Sequence, residues 1–142
     1  MFGIKYEKRL KEWIDFREDL EIDPDPLNKV IDNYENAPRS NMQTDPWTPE
    51  MWPNPWELIS ENQYDDFCRV LGMCYSLQLT ERFKGSKFEI HIGIDRSKSN
   101  THYLLVVDDN YIINWEDGEF ITTSSLPDTF VSQNVYHMPG LQ

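Results

Sequence analysis

The chain is short of cysteine, of basic residues and of long apolar runs, and each shortage excludes a class of protein. Its 2 cysteines among 142 residues are too few for a disulfide-stapled secreted scaffold. The 13 Lys and Arg are outnumbered by 25 Asp and Glu, so nucleic acid is not expected as a partner. No apolar run approaches the roughly eighteen residues of a membrane span, and no N-terminal apolar segment resembles a signal peptide. We therefore expect neither membrane insertion nor signal-peptide secretion.

What the chain does contain is enough for one folded domain. Apolar residues make up 39% of it and aromatic residues 13%, which argues against disorder, and the length suits a single domain with an arm. The net charge of -12 favours solubility and cationic partners. These features predict a protein that is made in the cytosol.

The first part of the sequence predicts an N-terminal helical arm, residues 1–37. Apolar residues at helical spacing, with charged residues between them, predict an amphipathic helix over residues 5–21. Asp25 is placed to cap a second short helix that has Pro26 at its first position. We expect residues 50–142 to fold without this arm.

Residues 38–56 are predicted to form a Pro/Trp-rich extended strap. Five prolines in this segment set φ and remove backbone donors, which excludes a helix or a central strand. Trp47, Trp52 and Trp56 lie among them, and tryptophans in an extended segment usually cover an apolar surface. That surface belongs either to the chain's own domain, which we favour, or to a partner protein.

Residues 57–142 predict an α+β domain, an antiparallel sheet of four to five strands packed on a central helix. Asn54 and Glu57 have the spacing of a helix-start capping box, and apolar residues then keep helical phase over residues 61–83. After residue 86 the period changes to two, and successive hairpins predict a meander with the helices on one face. The predicted strands are residues 88–95, 102–107, 111–115, 119–123 and 130–136.

Cys68 and Cys74 lie six positions apart in the predicted main helix. That spacing corresponds to roughly 9 Å along a helix axis, which exceeds the roughly 7 Å within which two Cα atoms can be joined by a disulfide. Each cysteine is expected at least one turn inside the helix, away from its positive end. Both are predicted to be buried, reduced thiols.

Three short segments carry the chemistry that the sequence suggests: Asn62-Gln63-Tyr64-Asp65-Asp66-Phe67, His102-Tyr103-Leu104-Leu105-Val106-Val107 and Ile112-Ile113-Asn114-Trp115. Thirty-eight residues separate Tyr64 from His102, and twelve separate His102 from Asn114. This pattern resembles the transglutaminase-like cysteine hydrolases, which place a nucleophilic Cys at a helix N-terminus, a His at the start of a strand and an Asp in the neighbouring strand.

The resemblance implies a catalytically degenerate relative, with vestigial triad positions at Tyr64, His102 and Asn114. A phenol with a reference pKa of about 10 replaces a thiol with a reference pKa of about 8.5, so little nucleophile is available near neutral pH. An amide can still orient an imidazole, so loss of the thiol is the decisive change. We therefore expect Tyr64 to face His102 without catalysing hydrolysis. An active amide or peptidoglycan hydrolase of the cysteine type is the alternative.

No cofactor or metal is expected. His91, His102 and His137 lack the spacing of metal ligands, and the chain has no Cys-x-x-Cys motif. A further alternative is an acidic inhibitor of a host protein that mimics nucleic acid. The negative charge is spread over the whole chain instead of forming a block, which weakens that alternative.

The first sixty residues carry three further marks: Trp13-Ile14-Asp15-Phe16-Arg17, Asp25-Pro26-Leu27 and Trp52-Pro53-Asn54-Pro55-Trp56-Glu57-Leu58-Ile59. They resemble the small structural proteins of tailed bacteriophages, particularly T4-like and marine phages. That resemblance implies a virion component of the neck, tail or baseplate, assembled in the host cytoplasm and bound to other protein subunits by the arm and strap. The residues predicted to bind partners are Trp13, Phe16, Trp47, Trp52 and Trp56.

Overall fold

A computed structural model describes residues 1–41 and 43–140. Within them, four α-helices precede a five-stranded antiparallel sheet, and the α+β class predicted from the sequence is confirmed. The helices are α1 (Tyr6–Ile22), α2 (Pro26–Tyr34), α3 (Pro55–Glu61) and α4 (Asp66–Gln78). The strands are β1 (Phe88–Asp95), β2 (Asn100–Val107), β3 (Tyr111–Glu116), β4 (Glu119–Thr122) and β5 (Phe130–His137), and short 3₁₀ turns span Pro49–Met51 and Thr123–Ser125.

The sheet order is β4-β3-β2-β1-β5. The predicted meander therefore runs from β1 to β4, and β5 returns to pair with β1. The pairing of β5 with β1 shifts register between Ile92 and Gly93. At Gly93 a Cβ would overlap the Val131 carbonyl oxygen and the Phe130 ring, so glycine allows β5 to approach at this irregularity.

The predicted main helix is interrupted near its start. The Asn54–Glu57 capping box forms as predicted, with side-chain-to-backbone hydrogen bonds in both directions. Asn62 then adopts a left-handed conformation with φ of 53° and ends α3, as Asn does more readily than most residues. Asp65 caps the next helix, so α4 covers only Asp66–Gln78. Asp25, by contrast, makes no side-chain cap bond to α2.

The two N-terminal helices belong to the main core. Trp13 and Leu20 of α1, and Val30 and Tyr34 of α2, lie in the same buried cluster as α4 and the sheet. Hydrogen bonds join the three helices, because Trp13 Nε1 donates to Ser76 Oγ at 3.0 Å and the Tyr34 hydroxyl bonds the same oxygen at 3.0 Å. This packing contradicts the expectation of an arm that is free of the domain.

The two faces of the sheet have different neighbours. Leu105 and Val107 of β2 lie in the main cluster beneath the helices. Leu104, Val106 and Ile112 form a second buried cluster on the opposite side, which we call the outer face. The helices are therefore grouped on one face, as predicted. None of the helices in the described ranges has the length and apolar character that a bilayer-spanning helix requires.

Candidate functional site

The N-terminus of α4 is the place where the resemblance predicts a nucleophile. Asp65 caps the helix by accepting a hydrogen bond from the Cys68 N–H at 2.7 Å, and its second oxygen accepts from the Thr44 N–H. Asp66 pairs with Arg39 at 2.9 Å. The paired carboxylates thus have structural uses, as a cap and as an ion pair at the positive end of the helix dipole.

Tyr64 lies just before this cap and is fully buried. Its ring packs edge-on against Phe2 and Tyr34, with ring centroids 5.6 and 5.8 Å away. Its hydroxyl donates a long hydrogen bond of 3.4 Å to the Leu58 carbonyl oxygen. Burial raises the pKa of the phenol above its ordinary value. Tyr64 is therefore a neutral core side chain.

The cysteines are free and buried, as predicted. Cys68, however, is the third residue of α4 and lies in its first turn, because the helix begins at Asp66. The expected position deeper in the helix was wrong for this residue. Its sulfur lies 3.1 Å from the Thr44 hydroxyl oxygen, and burial raises its pKa to about 12. Burial also raises the pKa of Cys74, so both thiols are protonated near neutral pH.

His102 lies on the outer face of the sheet. Its imidazole stacks on Trp115, with ring centroids 4.5 Å apart, and meets the edge of Phe130 at 6.3 Å. Nε2 is buried and has no hydrogen-bond partner among the described residues. Burial lowers the pKa of the imidazole, because an apolar environment disfavours the charged form.

Asn114 faces the helices. Its φ of 79° falls where β3 shifts register against β4, and its side-chain Nδ2 donates to the Tyr103 carbonyl oxygen at 2.9 Å. The side chain lines a cavity together with Arg69 and Met73 of α4. The amide thus fixes a strand irregularity and borders a pocket; no imidazole is among its hydrogen-bond partners in residues 1–41 and 43–140.

The structure does not bring the three predicted triad positions together. Tyr64 belongs to the main cluster beneath the helices, whereas His102 packs on the aromatic side chains of the second cluster on the outer face. The expectation that Tyr64 faces His102 was wrong. The neighbour of His102, Tyr103, is the β2 side chain that packs against Phe67 near the start of α4, with ring centroids 5.4 Å apart.

The five predicted partner-binding residues fall into three groups. Trp13 and Phe16 are buried in the chain's own core, which corrects their assignment to a partner surface. Trp52 packs on Phe67 and Tyr136 with ring centroids 5.0 and 5.1 Å away. Trp47 and Trp56 remain 48% and 50% exposed, so they are available to a partner.

A groove of about 290 Å³ borders the strap. Trp52 and Tyr136 form one aromatic wall, and Tyr75 donates a hydrogen bond from its hydroxyl to the Pro53 carbonyl oxygen at 2.8 Å. Met51, at the end of the strap's 3₁₀ turn, is also exposed. We call Trp47, Met51, Trp56 and this groove the strap surface.

The described residues contain no group of three or more His, Cys, Asp or Glu side chains arranged to hold a metal ion. The charged group that sequence reasoning missed is Arg69, which lines the cavity beside Asn114. Arg69 is the only basic residue in α4, and a lone cation in a largely buried helix is the signal that would have identified it.

No protein-family profile and no curated protein matches the chain. Solved structures of LapG from Legionella pneumophila do. One has a TM-score of 0.63 at 17% identity over 97% of this chain and 82% of LapG. An EGTA-treated LapG structure has a TM-score of 0.61 at 18% identity, over 95% and 73% of the two chains. A calcium-bound LapG structure has a TM-score of 0.60 at 16% identity, over 95% and 81%.

At these identities the likeness shows the fold alone. This chain shares the transglutaminase-like fold of LapG, as the three sequence segments implied. Activity and partners do not follow from this likeness.

Proposed function

We propose that this chain is a non-catalytic interaction protein that uses a degenerate transglutaminase-like domain as a scaffold. The observation that carries the proposal is the separation of the groups that a cysteine hydrolase must combine. A thiol nucleophile needs an imidazole within hydrogen-bond reach. Here the thiols of Cys68 and Cys74 lie in the main cluster, and the imidazole of His102 packs on Trp115 beside the second cluster.

The position before α4 supports the same proposal. Tyr64 fills this position with a ring held by Phe2 and Tyr34, so a buried core side chain stands where the resemblance places the nucleophile. Asp65 uses the same helix end for its cap. The dipole and free N–H groups that activate a nucleophile in an enzyme are used here to hold the chain in place.

The strap surface is the part of the molecule that we assign to partner binding. It combines the half-exposed Trp47 and Trp56 with exposed Met51, and large aromatic residues dominate the energetics of protein interfaces. The net charge of -12 favours a partner with a basic surface around its apolar contact. We propose other protein subunits of a larger assembly as the partners.

The resemblance of the first sixty residues to structural proteins of tailed phages narrows this assignment to a virion component of the neck, tail or baseplate, assembled in the host cytoplasm. We expect antibodies against the chain to label purified virus particles. We expect the Trp47→Ala/Trp56→Ala double variant to fold normally. It should be incorporated into virus particles at least about tenfold less than the native protein, because truncating an interface tryptophan commonly costs more than about 1 kcal/mol of binding free energy. Normal incorporation of the double variant would exclude Trp47 and Trp56 as the residues of the strap surface that bind a partner.

A cysteine hydrolase is the second candidate, and the first-turn position of Cys68 is the observation that favours it. Thiol labelling separates the two functions. In the native protein we expect both cysteines to react with iodoacetamide at least about a hundredfold more slowly than a free cysteine at pH 7.5. The rate stays low as the pH rises to about 9, because a thiol whose pKa is raised to about 12 remains protonated until the pH approaches that value.

The control for this experiment is the same reaction in urea, where both thiols should react at the rate of free cysteine. A Cys74→Ser variant assigns the native signal to Cys68. Rapid labelling of Cys68 in the native Cys74→Ser variant at pH 7.5 contradicts the scaffold proposal and favours an enzyme.

A further inference from the structure

Arg69 is a largely buried cation that donates no hydrogen bond to the part of the chain that the structure describes. Its side chain is 15% exposed, and Nε is buried without a hydrogen-bond partner in residues 1–41 and 43–140. Its one ion pair in the same residues is with Asp66, at 3.9 Å, which is longer than a hydrogen bond. A guanidinium has five N–H donors, and native proteins rarely leave such donors unsatisfied when they are buried.

The other buried arginines of the chain have structural explanations. Arg9 donates to the carbonyl oxygens of Ile59 and Ser60, both at 2.9 Å. Arg17 has an unpaired Nε, but its guanidinium lies 4.4 Å from the ring centroid of Trp13, where a cation–π interaction compensates. Arg69 has neither kind of partner among the described residues. The carboxylates of Asp66, Glu35 and Asp117 favour its charged form without accepting a hydrogen bond from it, so its donors are left with capacity for a ligand.

Arg69 lines a cavity of about 290 Å³ between α2, α4 and the β3–β4 turn. Part of the inner wall is apolar, and Arg69 shares the cavity with a second guanidinium, that of Arg39, and with the Asn114 amide. Exposed carboxylates stand around the mouth. The apolar lining residues are Ile31, Met73 and Ile113, and the carboxylates are Glu35, Glu116 and Asp117. None of these three carboxylates forms an ion pair within residues 1–41 and 43–140. We call this space the Arg69 cavity.

We propose that the Arg69 cavity binds a terminal carboxylate that has a positively charged group a few bonds away. The Arg69 guanidinium matches the planar geometry of a carboxylate and can donate two parallel hydrogen bonds to it. The carboxylates at the mouth attract a cation and repel polyanions, so phosphates and nucleic acid are disfavoured. The apolar part of the wall, formed by Ile31, Met73 and Ile113, accommodates the methylene groups of a long side chain.

A basic amino acid unit has these three features in one molecule. The chemistry has two sources, a free basic amino acid or the C-terminal Lys or Arg of a partner polypeptide. The cavity volume is near the lower end of the range for small-molecule sites, which fits one residue. This binding is independent of the strap surface, so it goes beyond the scaffold function and does not require it.

The experiment is an NMR titration of the full chain with Nα-acetyl-lysine, which retains the carboxylate and the side-chain ammonium. We expect saturable shifts of the backbone amides of Arg69, Met73, Asn114 and Gly118, with a dissociation constant in the millimolar range or below. Lysine amide, which lacks the carboxylate, and inorganic phosphate, which lacks the ammonium, should each bind at least about tenfold more weakly.

Arg69→Met tests the guanidinium itself. The variant removes a largely buried charge whose one ion pair, with Asp66, is 3.9 Å long, and it keeps the volume. It should be about as stable as the native protein and should bind at least about tenfold more weakly. Arg69→Lys keeps the charge but loses the two parallel N–H donors of the planar guanidinium, and it should bind the ligand with intermediate strength. Arg96→Met, at an exposed arginine outside the cavity, is the matched control and should bind as the native protein does.

Comparing two further ligands in the same titration distinguishes the two sources of the terminal carboxylate. Tighter binding of a tripeptide ending in Lys than of free lysine supports a partner C-terminus, and the reverse order supports a free amino acid. The proposal is overturned if the cavity amides do not shift, if Arg69→Met binds as well as the native protein, or if lysine amide binds as well as Nα-acetyl-lysine. None of these outcomes bears on thiol reactivity, so the scaffold function is tested separately.

Discussion

Replacing Trp13 with Ala should lower the free energy of unfolding by about 3–5 kcal/mol, the usual cost of removing a buried aromatic side chain. Trp13 is 1% exposed and donates a hydrogen bond to Ser76. The Arg17 guanidinium lies over the Trp13 ring. The ring also packs edge-on against Trp56, with ring centroids 6.4 Å apart. The substitution therefore leaves a cavity and removes the link between α1 and α4. Urea unfolding followed by tryptophan fluorescence and circular dichroism measures the loss.

Trp47→Ala is the matched control, because it removes the same side chain from a site that is 48% exposed. We expect it to cost less than about 1 kcal/mol. Trp13→Phe, which retains most of the ring, should have an intermediate effect and remains measurable if the alanine variant does not fold. Equal losses for Trp13→Ala and Trp47→Ala would mean that α1 is an arm after all, attached loosely to the domain.

The same comparison shows what the sequence could reveal about the N-terminal third. Helical spacing of apolar residues correctly predicted α1 to within one residue at each end, and it correctly predicted that α2 begins at Pro26. It could not show which surface those apolar faces cover, because an amphipathic pattern is the same whether the helix packs on its own domain or on a partner. The assignment of Trp13 and Phe16 to a partner failed for this reason.

The strands illustrate a similar limit. In β1, apolar and polar residues alternate, and the pattern identifies the buried face. In β2, positions 104 to 107 are all apolar, because both faces of this inner strand are buried. Period alone therefore does not say whether His102 points toward α4 or away from it. Leu105 and Val107 lie in the main cluster. Because side chains alternate along a strand, His102 then faces the opposite side of the sheet, and only the tertiary structure shows this.

The break between α3 and α4 depended on local backbone chemistry. Asn62 and Asp65 are both residues that favour helix ends, so the signal for two helices was present in the sequence. The continuing apolar pattern outweighed it and led to the prediction of one long helix over residues 61–83. This one boundary error also moved Cys68 from the first turn of a helix to its interior, and so changed the interpretation of its thiol.

The fold and the site respond differently to sequence change. A transglutaminase-like arrangement of helix and sheet requires only apolar volume at the core positions, which many residues supply. A thiol–imidazole pair requires two particular side chains on the same face within about 3 Å. Here Tyr64 supplies volume and His102 packs on the outer face, so both residues fit the fold and they do not form such a pair.

Tyr64→Ala should therefore destabilise the protein by about 3–5 kcal/mol, the behaviour of a core residue. Tyr64 is fully buried, and its ring joins Phe2 and Tyr34 at the start of α4. Its backbone also holds the beginning of the strap, since the Tyr64 N–H donates to the Pro38 carbonyl oxygen at 2.9 Å. Loss of the ring leaves a cavity beneath the start of α4 and the beginning of the strap. Urea unfolding measures the change, and Tyr64→Leu should lose less because it fills part of the volume.

Tyr64→Phe is the control that separates the ring from the hydroxyl, and it should cost less than about 1 kcal/mol. The hydroxyl makes a hydrogen bond of 3.4 Å to the Leu58 carbonyl oxygen, which already accepts from the Asn62 N–H at 2.9 Å. Removing the phenol oxygen therefore leaves no buried group without a partner. Replacing a residue that is retained for chemistry often makes the protein more stable. A stabilising Tyr64→Ala, or a Tyr64→Phe as costly as Tyr64→Ala, would contradict the structural role and indicate that the phenol is retained for chemistry.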